Sequence, residues 1–169
     1  ERFDYDREDV ACYREMIRQF VVPVVAEIYE KQRNRLGIEH LYYYDEDMSS
    51  PEGNAIPYGT TEEQVQLAQR MYHELSKETG EFFDFMVQHQ LFDLETKPGK
   101  MQGGYCTFLP DMMAPFIFSN FNRTSADVDV LTHEAGHAFE AYTATRKGVP
   151  DEIAFSTSEV AEIHSMSME

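Results

Sequence analysis

Apolar residues recur at helical spacing from the start of the chain, at Val10, Tyr13, Ile17, Phe20, Val21, Val24, Val25 and Ile28. This predicts a long core-facing helix from about Asp6 to Gly37. Pro23 falls inside it and predicts a kink, because proline removes a backbone donor. The periodicity stops between His40 and Thr60, where three adjacent acids, Pro51, Gly53, Pro57 and Gly59 crowd together as in a surface loop. The run Tyr42, Tyr43, Tyr44 is expected to pack the root of that loop.

Helical spacing resumes behind a capping box, Thr60-x-x-Glu63, with Val65, Ala68, Met71, Tyr72 and Leu75 on one face. Gly80 is expected to interrupt this helix before Phe82, Phe83, Phe85, Met86 and Val87 extend the pattern to about Leu91. Residues 97–122 change character: Pro98, Gly99, Gly103 and Gly104 precede Tyr105 to Phe108, and then Phe116 to Phe118. We read a short hairpin or strand pair, in which adjacent glycines admit a second backbone or simply make a tight bend. Thr124 or Ser125 can cap a further helix reaching about Thr145. Ser156-x-x-Glu159 forms a second capping box that opens a last helix. The expected organisation is one mainly α-helical domain: a helical scaffold (1–96), a glycine-rich strand segment (97–122) and a helix pair (123–169).

Charge narrows the function classes. With 31 acidic against 14 basic residues the net charge is −17, which repels phosphate backbones, so nucleic acid is not an expected partner. No apolar run approaches the roughly 18 residues of a membrane span. Cys12 and Cys106 lie outside any C-x-x-C spacing, which fits a reducing compartment, and the expected location is cytoplasmic.

The chemistry concentrates in His133-Glu134-Ala135-Gly136-His137. Four helical residues turn the chain by about 400°, so the two imidazoles lie about 40° apart on one face and can share a metal ion. Glu134 is then placed to serve a water molecule instead of the metal. A zinc hydrolase needs a third protein ligand. Glu162, 25 residues after His137 on the next helix, is the candidate, with Glu159 its rival but already engaged as a cap. Asp129, one turn before His133, is a candidate to hold that imidazole's other nitrogen, or else an exposed helix-face acid. Glu134-x-x-His137 also matches half of a di-iron carboxylate motif, but no second Glu-x-x-His accompanies it.

The segments HEAGHAFE and EIHSMSME, with Glu162 at that offset, together with GKMQGGYCT and Asn120-Phe121 upstream, resemble the thimet oligopeptidase and oligoendopeptidase F family of zinc metallopeptidases. The resemblance implies a zincin-type helical catalytic core with a short hairpin or strand pair before the metal-binding helix. It implies one zinc ion on His133, His137 and Glu162, and Glu134 as general base. Gly103, Gly104 and Tyr105 are implied to lie near a bound peptide. The expected activity is endopeptidase cleavage of oligopeptides, with a zinc carboxypeptidase, a non-catalytic metal-binding module and a di-iron protein as alternatives. The family's further tyrosine and histidine residues lie beyond Glu169, so the chain is expected to be part of a longer catalytic domain, with the remainder as its partner.

Overall fold

A computed structural model describes residues 5–169. They form two compact units, residues 5–54 and Ala55–Glu169.

The first unit is built on one interrupted helix. Helix α1 (Arg7–Met16) opens on a capping box between Asp6 and Asp9, passes through a π-helical turn at Ile17–Val21 and continues as α2 (Val22–Leu36). Pro23 sits in the first turn of α2, where its missing N–H is least costly. The preceding π turn absorbs the break that the sequence predicts as a kink. Gly37 ends α2 in the left-handed conformation at φ 69°. The buried Gln32 amide donates to the carbonyls of Asp45, Glu46 and Met48, tying the acidic loop to α2. The apolar stripe is not core-facing as the spacing predicts: Tyr13 and Phe20 are 66% and 62% exposed. Spacing reports amphipathicity, and among the described residues of this unit no second layer covers the stripe.

In the second unit, α3 (Thr61–Leu75) starts at the predicted Thr60–Glu63 capping box. The break before α4 (Lys77–Gln88) comes at Ser76, whose extended backbone and hydroxyl cap the new helix, and not at Gly80. Gly80 lies within α4 because the His73 ring crosses it there; a Cβ would come within 2.6 Å of His73 Nδ1. A three-stranded sheet follows in the order β1 (Phe92–Glu95), β3 (Ala114–Phe121), β2 (Tyr105–Leu109), with β3 antiparallel to β2 and parallel to β1. The predicted strand pair is therefore present, and β1 is an addition too short to show periodicity.

The last two helices are α5 (Ala126–Arg146) and α6 (Ser158–Met168). Leu131, Ala135 and Ala138 turn one face of α5 into a core shared with Phe82, Phe83, Met86 and Ile117. Burying such a large apolar side chain contributes roughly 1.5–3 kcal/mol. Phe82 packs edge-on to Tyr142, and the Tyr72 hydroxyl donates to the Thr132 carbonyl, so α3 and α4 fix the position of α5. Among the described residues no helix is long and apolar enough to cross a membrane.

Candidate metal centre

The start of α5 is set by an arrangement that capping rules do not predict. Ser125 occupies the cap position without a side-chain bond, and the buried Asp127 carboxylate accepts the N–H groups of Asn122 and Arg123 at 2.9 and 2.7 Å. Arg123 is held in the left-handed region at φ 69°. This clasp joins the end of β3 to the first turn of α5.

Two turns further on, α5 presents His133 and His137 side by side, ring centres 5.0 Å apart and nearly perpendicular. Glu162 comes from α6 to meet both: its Oε2 lies 3.1 Å from His133 Nε2 and 3.5 Å from His137 Nε2. The three donors lie within 4.8 Å of one another. The offset of 25 residues thus selects the acid that closes the triad. Glu159 is not part of that group. Its capping box with Ser156 does not form: Thr157 holds the cap position, and the Ser156 hydroxyl donates to Glu140 Oε1 at 2.6 Å.

The other nitrogen of His133 is held by a residue the spacing does not single out. Glu169 Oε2 lies 3.2 Å from His133 Nδ1, in the place proposed for Asp129, which is exposed in the first turn of α5. Glu169 lies 36 residues from His133, a separation that no local pattern registers. On α6, Ser165 donates to Glu162 Oε2 at 2.8 Å. Ser165 is the one residue of α6 that is fully covered, while Val160, Ile163 and Met166 are exposed.

Glu134 points into the same cleft on the side of β2, where the Cys106 backbone N–H faces its carboxylate. Burial pushes the Glu134 carboxyl above its ordinary range, against the opposing pull of the His137 and His133 imidazoles and of the Cys106 N–H. Burial likewise pushes the Cys106 thiol up to about 12, with the neighbouring Glu134 charge adding to the effect. The cleft, of about 430 Å³, runs between β2 on one side and α5 and the start of α6 on the other. Gly104 and Tyr105 line it and Gly103 does not. Gly103 makes a turn at φ 111° whose carbonyl accepts from Asn120. Gly104 is small because Val130 of α5 packs against it; a Cβ would meet Val130 Cγ1 at 3.0 Å.

Two imidazole nitrogens and a carboxylate oxygen converging from consecutive helices, with an acid between the histidines, fit a zinc ion in a site of the hydrolytic kind. The donor set is one that can hold a single metal ion. The model of peptidase family M3 matches residues 1–169, and the chain belongs to that family. Among solved structures it is similar to a protein of Bacillus anthracis str. Ames assigned as an oligoendopeptidase F (51% identity, TM-score 0.93, covering 99% of this chain and 30% of that one). It is similar as well to PZ peptidase A, solved with an inhibitor (50% identity, TM-score 0.94, covering 99% and 30%). A peptidase of Chlamydophila abortus is more distant, at 26% identity and TM-score 0.57, covering 85% of this chain and 24% of that one. No curated protein matches significantly. The chain thus spans about 30% of the length of the two more similar structures.

Proposed function

We propose that the chain carries the metal-binding core of a zinc-dependent endopeptidase that cleaves internal bonds of oligopeptides. The observation that supports this most directly is the convergence of His133 and His137 Nε2 on one oxygen of Glu162, with Glu134 beside them in the cleft. Bound there, zinc would supply Lewis-acid activation of water and of the scissile carbonyl.

The remaining chemistry belongs to side chains and backbone. Glu134, half-buried and oriented by the Cys106 N–H, takes the proton of the attacking water and passes it to the leaving amine. β2 is an edge strand along the cleft, so an extended peptide can lie beside it and use main-chain hydrogen bonds without demanding a particular sequence. Phe108 and Phe155, in edge-on contact with ring centres 5.9 Å apart, give the same cleft an apolar wall. Two free cysteines agree with a reducing, cytoplasmic setting.

The test is replacement of Glu134 by Gln in the intact protein. Zinc content should be unchanged, and cleavage of an end-blocked oligopeptide should fall by at least a hundredfold; undiminished turnover would refute the mechanism. Mapping the products separates internal fragments from the single C-terminal residues that a carboxypeptidase would release.

A further inference from the structure

Glu162 reaches the two imidazoles because α6 crosses α5 at one tightly defined point. Gly136, between His133 and His137, is buried, and a Cβ built on it would lie 2.5 Å from the Cα of Ser165 and 3.2 Å from its carbonyl oxygen. The obstructing atoms are backbone, so no side-chain rotation relieves the clash. Alanine at 136 would have to push α6 away from α5, carrying Glu162 with it.

Ser165 completes the arrangement from the other side. It is 0% exposed against the bare face of Gly136. Position 165 is one helical turn after 162, so its hydroxyl reaches back to Glu162. Two acceptors lie within range, the Glu162 carbonyl at 3.1 Å and Oε2 at 2.8 Å. The single hydroxyl proton favours the shorter bond, to the charged oxygen. That oxygen is the one facing both imidazoles.

We infer that Gly136 and Ser165 are a paired positioning device for Glu162: the glycine sets how closely α6 approaches, and the serine hydroxyl selects and orients the carboxylate oxygen offered to the metal. The inference rests on the metal-site reading above. It assigns work to two residues that are neither ligands nor part of the cleft lining.

The experiment titrates the metal-free intact protein with zinc against a chelating indicator, for wild type, S165A, G136A, E162A and the double variant S165A/E162A. S165A keeps the Cβ and the helix packing, so the metal-free melting temperature should stay near wild type while zinc affinity falls about tenfold or more. G136A should fall further, by about a hundredfold. With Glu162 gone, S165A should weaken zinc no further, and in the cobalt-substituted protein its visible absorption band should shift. Wild-type affinity in S165A, or an equal S165A effect with and without Glu162, overturns the inference while leaving the zinc site intact. A wild-type protein that takes up no zinc overturns the metal-site reading and this inference with it. Should G136A fail to fold, S165A and the double variant decide alone.

Discussion

Glu169 and His133 face each other across the last two helices, carboxylate to Nδ1 at 3.2 Å, on the side of the imidazole away from Glu162. A carboxylate there fixes which nitrogen keeps its proton and makes the opposite nitrogen a better donor. Replacing Glu169 by Ala should therefore weaken zinc binding about 10- to 100-fold while leaving Glu162 in place. Chelator competition on the metal-free protein measures it; an affinity equal to wild type would show the pair to be incidental.

The two acids of α6 make an internal comparison. Glu162→Ala should remove most of the bound zinc, because two imidazoles alone leave the site short of a ligand. Glu159→Ala should keep the stoichiometry at one. Metal analysis after gel filtration distinguishes them, and the reverse pattern would transfer the ligand role to Glu159.

Asp127 is predicted to matter for stability before chemistry. Its buried carboxylate accepts two backbone N–H groups, and Asp127→Ala would leave both without a partner at about 1–3 kcal/mol each. A loss of roughly 2–6 kcal/mol in urea unfolding is expected. Asp127→Asn retains one acceptor and should lose less.

The two thiols should differ sharply in reactivity. Cys12 is exposed, whereas the Cys106 thiol is pushed up to about 12. The thiolate is the reactive form, so at pH 8 Cys106 should alkylate on the order of a thousandfold more slowly than an ordinary thiol. Its rate should keep climbing about tenfold per pH increment up to about pH 11. Peptide mapping of iodoacetamide-treated protein reads both sites at once.

What the sequence makes legible is whatever has a local period or a fixed offset. The pair His133 and His137 is one helical turn apart, and the Thr60–Glu63 box is a three-residue signature, and both appear as read. Ser156 and Glu159 carry the same signature, but Thr157 takes the cap position and the Ser156 hydroxyl donates to Glu140, a partner that only tertiary packing brings near. Gly80 reads as a break and proves to be clearance for His73, since a glycine's local and packing roles look identical in sequence. Strand β1 is four residues long and takes its identity from β3 alongside it. Glu169 is invisible for a similar reason: its partner is 36 positions away.

Because Glu162 comes from α6, Glu169 from the residue that ends it and both histidines from α5, an ion in the site would act as a latch as well as a reagent. Apart from the ion, α6 is held to α5 by the seating of Ser165 on Gly136 and by the His164 ring against Phe139. Detachment of α6 and loss of the ion then become a single linked equilibrium. Each tenfold rise in free metal above the dissociation constant would add about 1.4 kcal/mol against opening. Metal starvation would accordingly do more than empty the site: it would loosen α6 and open the α5–α6 junction to proteolysis, so the supply of the ion would bear on how long the folded core persists.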